Sequence, residues 1–113
     1  MSFTPHDYLR HMLAEAEFLV RQTRTLSKAD FLENEVLQRA FVRSIEVIGE
    51  AAKHVSPEFR ARHPQVDWRV ITGMRDRLIH GYFGIDYDIV WNVAADEAIS
   101  LAAHLAQLLA EDA

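Results

Sequence analysis

Apolar residues recur at three- and four-residue steps along almost the whole of this 113-residue chain, a period that fits α-helices and not strands. Leu37, Phe41, Ile45, Ile48, Ala52 and Val55 step by four, four, three, four and three, which lays one continuous stripe on a long helix ending before Pro57. Tyr8, Leu9, Met12, Leu13, Ala16, Leu19 and Val20 do the same from about Pro5 to Thr23, with Pro5 suited to the first turn. Ser27 and Asp30 have the form of a capping box that opens the second helix. Ser56 and Pro57 can open a short turn through Arg62, and His63-Pro64 then breaks the chain. Asp67 caps a third helix carrying Trp68, Ile71, Met74 and Leu78, expected to run to Gly81 and Gly84. Asp86 caps a fourth, striped by Val90, Val93, Ala94, Leu101, Leu105 and Leu108. With only four Gly and three Pro there is too little turn chemistry for a β fold. The expectation is all-α: an antiparallel up-down four-helix bundle, a single domain over residues 1–113.

The chain has no cysteine, so disulfides and thiolate zinc sites are excluded and the fold must stand on packing. Met1 to Leu13 carries Asp7, Arg10 and two histidines and lacks the apolar core of a signal peptide, and no uncharged apolar run reaches a membrane span. A cytoplasmic protein without a membrane partner is expected. The net charge of −5 is a poor overall footprint for a nucleic-acid binder. Locally the balance reverses. Arg60, Arg62, Arg69, Arg75 and Arg77 against Asp67 and Asp76 leave the Arg60–His80 segment at plus three and everything else at minus eight. An anionic substrate should meet the chain there.

The densest cluster of functional groups within that segment is Met74-Arg75-Asp76-Arg77-Leu78-Ile79-His80-Gly81-Tyr82. On one straight helix Arg75 and His80 would stand roughly 140° apart, so a single helix would not aim both at one atom. Gly81 offers an exit from the helix after His80, and a two-fold partner could set a second Arg and His across a shared cleft. The set suits RNA phosphodiester cleavage, which needs a base for the 2′-hydroxyl, charge stabilisation at phosphorus and an acid for the leaving oxygen. His80 titrates near neutrality and can be that acid or base, more readily an acid if it sits at a helix C-terminus. Arg75 presents several donors to phosphate oxygens, and Asp76 and Arg77 are candidates for orienting the substrate.

These residues resemble the HEPN superfamily of ribonucleases, whose motif is arginine, a polar residue, a variable run and histidine: here Arg75, Asp76, Arg77-Leu78-Ile79 and His80. The longer form, with Tyr82 at its end, is similar to the HepT toxins of HepT/MntA-type toxin-antitoxin modules. Arg39 to Ala52, containing Ile48-Gly49-Glu50-Ala51-Ala52, is similar to their second helix. The resemblance implies a homodimeric toxin that cleaves RNA without metal or other cofactor, with Arg75 and His80 catalytic. It also implies an antitoxin of the nucleotidyltransferase class that transfers AMP to Tyr82, where a bulky anion would block the cleft. One departure is Asp76, where Asn is common in the group; an Asp facing phosphate repels it unless paired with Arg75 or Arg77. The alternative is a non-catalytic module whose basic groove holds a nucleotide or RNA and scaffolds the nucleotidyltransferase.

Elsewhere the plainer accounts prevail. Glu33, Glu35, Arg39, Arg43, Glu46 and Lys53 alternate in sign outside the stripe and read as a solvated face. Glu46, Glu50 and His54 share a helix face at metal-ligand spacing, but no Glu-x-x-His exists in the chain, and no metal is expected. Glu50 reads first as a surface partner of Lys53 or His54, with a place near the dimer or active-site region as the alternative. Trp68 and Trp91 read as core anchors, and Tyr82 by itself fits a ring packed on the bundle with its hydroxyl in water.

Overall fold

A computed structural model of the chain describes residues 3–79 and 84–111. Three long helical stretches carry the architecture: α1 (Pro5–Thr23), α3 (Glu35–Lys53), and a continuous helix from Tyr87 to Glu111 made of α7 (Tyr87–Asn92), a π-helical segment (Val93–Glu97) and α8 (Ala98–Glu111). Between them lie α2 (Lys28–Leu32), α4 (Pro57–Arg62), α5 (Trp68–Thr72) and α6 (Met74–Leu78). Helix α1 packs against both α3 and α8. It runs antiparallel to α3: Tyr8 near its start lies on His54 past the end of α3, and Phe18 near its end meets Phe41 near the start of α3. The all-α bundle expected from the stripes is the observed fold.

The stripes point inward. Leu9, Met12, Ala16 and Leu19 of α1, Phe41, Ile45, Ile48 and Ala52 of α3, and Val90, Val93, Leu101, Leu105 and Leu108 of the last helix belong to one buried cluster. Tyr87–Glu111 is long and apolar enough to cross a bilayer, yet it carries Asp96 and Glu97 and spends its apolar side on this core. Side-chain caps begin the helices: Ser27, Ser56, Asp67 and Asp86, as their positions suggest, and also Thr4 and Asn34. At Thr4 the box is reciprocal, and the amide and hydroxyl of Thr4 hold the Asp7 carboxyl below its ordinary range.

Two expected helices are interrupted. The second does not run unbroken from Ser27, because on a straight helix Phe31 would point roughly 80° away from the stripe centred on Phe41. The chain instead breaks at Glu33 and Asn34. Gln38 Nε2 donates to the carbonyls of Phe31 and Leu32, and Phe31 folds inward to stack on Phe41 at 4.8 Å and meet Trp91 at 5.5 Å. The third helix kinks at Gly73, a residue that weakens a helix interior, and divides into α5 and α6.

It also stops sooner than expected, at Leu78 and not at Gly81. Ile79 is extended (φ −102°, ψ 121°) and forms an isolated antiparallel bridge with Ile85, while Asp86 N–H donates to Leu78 O at 2.7 Å. Gly84 turns the chain at φ +93°. A β-branched residue drawn into an extended pairing outcompetes one more helical turn. The helix-terminus argument for His80 as an acid therefore has no support, since the five-residue α6 closes before it. The expectations for His80, Gly81 and Tyr82 themselves fall on residues outside those described.

Candidate active site

The motif helices are set down closely on α3. Gly49 permits this: a Cβ there would stand 3.4 Å from the Ile71 carbonyl of α5, so a larger side chain would force the two helices apart. Trp68 reinforces the docking as a buried anchor whose Nε1 donates to His63 O at 3.0 Å. Trp91 is half-buried against the same core. Ile71, Met74 and Leu78 face inward, which leaves Arg75, Asp76 and Arg77 of α6 to solvent.

The five arginines of the basic segment do not form one phosphate-binding strip. Arg60 is spent on the end of α3, donating through Nη2 to Ala52 O at 2.7 Å and through Nε to Val55 O at 3.0 Å. Arg62 lies over the Phe59 ring at 5.4 Å. Arg77 makes a two-pronged pair with Glu97 of the π-helical segment, both contacts at 3.0 Å, and this bond holds its proton more firmly than usual. Among the described residues the ion-pair partner of Arg75 is Asp76 Oδ1, at 4.0 Å, and the Arg75 side chain is 54% exposed. Of the two motif arginines, Arg75 is the one presented for binding.

Arg75 lines a groove of about 430 Å³ with Arg43, Glu46, Glu50 and Lys53 of α3. Those four residues sit at i, i+3, i+7 and i+10, so their side chains make one row along the helix. Arg43, Glu46 and Lys53 read from the sequence as a solvated face and Glu50 as a surface ion-pair partner; the regular spacing of all four beside the apolar stripe is the signal that they form a row. None of Glu46, Glu50 and His54 joins a group of three metal-ligating side chains among the described residues. Glu50 makes no ion pair with Lys53 or His54 among them; it stands in the groove wall. Chemically, the groove sets two cations, Arg43 and Lys53, and two carboxylates, Glu46 and Glu50, around the Arg75 guanidinium, five residues before His80.

Residues 12–108 match the family model described as ribonuclease HepT-like. The chain belongs to that family. A protein of Caldanaerobacter subterraneus subsp. tengcongensis named "Putative RNase" is 46% identical over 109 residues, covering 96% of this chain and 97% of its own. The "Probable ribonuclease HepT" of Thermococcus cleftensis is 38% identical over 95 residues, 84% of this chain and 86% of its own. A Methanocaldococcus jannaschii protein, again named "Putative RNase", is 33% identical over 90 residues, 80% of this chain and 83% of its own. No solved structure gives a significant match. The HepT-like resemblance carried by Arg75 to Tyr82 and by Arg39 to Ala52 is thus upheld over nearly the whole chain.

Proposed function

We propose that this HepT-like protein is a metal-independent endoribonuclease, the toxin of a cytoplasmic toxin-antitoxin pair, built as one helical domain and working as a two-fold homodimer. The observation that carries the reading is Arg75: exposed, held among the described residues by no ion pair closer than 4.0 Å, lining a groove, and placed five residues before His80 in a chain of this family. His80 takes the proton of the 2′-hydroxyl as the oxygen attacks phosphorus, and the bond to the 5′-oxygen breaks as that oxygen gains a proton. A 2′,3′-cyclic phosphate and a 5′-hydroxyl result. Arg75 stabilises the charge that grows on the phosphoryl oxygens. A two-fold partner supplies a second Arg75 and His80, so that one histidine acts as base and the other as acid. Arg and His cover every proton and charge in this sequence of events, and no cofactor is called for.

Control rests on Tyr82. A nucleotidyltransferase antitoxin transfers AMP from a nucleotide triphosphate to the tyrosine oxygen, pyrophosphate leaves, and the added anion fills the cleft and repels RNA. Incubation with that partner and ATP should add the mass of AMP to the wild type and not to Tyr82→Phe. The primary test is cleavage of a mixed RNA in excess EDTA by wild type and by His80→Ala. Cutting by the wild type alone supports the reading. Binding of RNA by both with cutting by neither would replace it with a non-catalytic module that scaffolds the nucleotidyltransferase.

A further inference from the structure

A second depression lies across the row of α3 side chains from Arg75. It encloses about 240 Å³ and is lined by Tyr8 and His11 of α1 with Arg43, Val47, Glu50 and His54. Arg43 and Glu50 also line the Arg75 groove, so the two depressions meet along that pair of side chains. Helical geometry explains the arrangement. Taking Arg43 as reference, Glu50 and His54 fall within roughly 20° of it, Val47 and Ala51 turn toward α1, and Glu46 and Lys53 turn toward α6.

The second depression differs in chemistry from the first. The imidazole of His54 lies parallel on the ring of Tyr8, 4.9 Å between centroids and 7° between planes, and His54 is exposed. The stack of two flat rings thus borders the depression and ends in a solvent-exposed histidine. His11, also exposed, stands edge-on to Tyr8 at 6.5 Å, and Phe3 sets its own ring edge-on to both Tyr8 and His11 at 5.7 and 5.5 Å. Flat rings that reach solvent, next to an arginine and a carboxylate, are what unpaired nucleobases bind: stacking supplies affinity for any base, and the polar pair can read its edge.

We propose that Tyr8, His11 and His54 form a nucleobase subsite, which holds one unpaired base of an RNA strand whose phosphate is gripped at Arg75. The proposal rests on the ribonuclease reading for the identity of the ligand, and on ring geometry for its place. It makes the substrate single-stranded near the cut, because a base paired in an A-form helix cannot be laid on His54. Arg43, common to both depressions, would contact the phosphate between the held base and the scissile bond.

The test measures binding apart from cleavage. A short 2′-O-methyl oligonucleotide has no attacking hydroxyl, and 2-aminopurine placed in it reports stacking by loss of fluorescence. Wild type should quench the probe. His54→Ala and His11→Ala, both at exposed positions, should each weaken binding about tenfold. His54→Phe, which keeps a flat ring, should restore most of the affinity. An abasic residue at the probe position should bind wild type and His54→Ala alike. Equal affinity of all variants for the intact oligonucleotide would overturn the subsite, as would a His54→Ala protein whose only change is a shift from dimer to monomer in sedimentation, which would make this face an interface between copies. A protein that cuts RNA but binds regardless of His54 keeps the nuclease and loses the subsite. One that cuts nothing yet binds through His54 keeps the subsite and loses the nuclease.

Discussion

Arg75 and Arg77 stand two residues apart on the same short helix and are put to opposite uses. Arg77 is drawn across to the last helix, where Glu97 grips it with two oxygens at 3.0 Å. Arg75 turns toward α3 and, among the described residues, meets no carboxylate nearer than Asp76 at 4.0 Å. The difference lies in what each helix face looks at. One side of α6 faces a π-helical segment that brings a carboxylate within reach; the other faces a groove whose charges stand back from it. A guanidinium that is already paired makes a strut, and an unpaired one is left to bind phosphate.

The sharpest way to break this contrast is Arg75→Ala. Cleavage should fall about 10²- to 10³-fold while the melting temperature stays where it was, because an exposed side chain without a close partner contributes little to stability. A fall in melting temperature matched by a proportionate fall in activity would make Arg75 a strut as well. Next comes Gly49→Val, which acts on both arginines together by pushing α5 and α6 off α3. The Ile71 carbonyl has room for a Cβ at 3.4 Å but not for the two methyls beyond it, and overpacking of this kind costs about 1–3 kcal/mol. A lower urea midpoint with weaker RNA binding is the expected result.

Arg77→Ala should cost less, about 0.5–1 kcal/mol, since both partners are partly exposed at 42% and 33%. The charge-swapped double variant Arg77→Glu with Glu97→Arg should recover most of the lost stability. If Arg77→Ala abolishes cleavage as fully as Arg75→Ala does, and the swap fails to rescue it, Arg77 orients substrate and the contrast collapses. The smallest effect belongs to Asp76→Asn. Removing an 86% exposed carboxylate beside Arg75 should tighten RNA binding about twofold at low salt, a gain that fades as salt rises. Unchanged affinity across a salt titration would place Asp76 away from the phosphate path.

How legible each part was follows from its range of interaction. The stripes of α1 and α3 read directly, since burial of a face at every turn leaves a pattern that no other fold produces. The caps at Asp67 and Asp86 read equally well, being bonds within three residues, and of the box expected at Ser27 and Asp30 the Ser27 half is present, its hydroxyl accepting from Asp30 N–H. The interruption at Asn34 and the early end at Leu78 did not read from the sequence, because each is decided by a distant partner: Phe41 and Trp91 for Phe31, Ile85 for Ile79. The candidate site divides in the same way. Arg75, Asp76 and Arg77 stood out by type and spacing, whereas Arg43, Glu46 and Lys53 looked like any solvated helix face until α6 was laid beside them.

The amino-acid sequence by itself determined an all-helical bundle, a family, and a short segment in which arginine, histidine and tyrosine are held at fixed separation. These rest on local spacing, which is complete within a few turns of chain. Only the tertiary structure decided that Arg60 and Arg77 are consumed in holding helices together, that Arg75 faces a groove beside α3, and that aromatic rings of α1 and the end of α3 meet beside it. Contacts between residues far apart in the chain depend on how whole helices pack, and the spacing of any one helix carries no record of its neighbour's face.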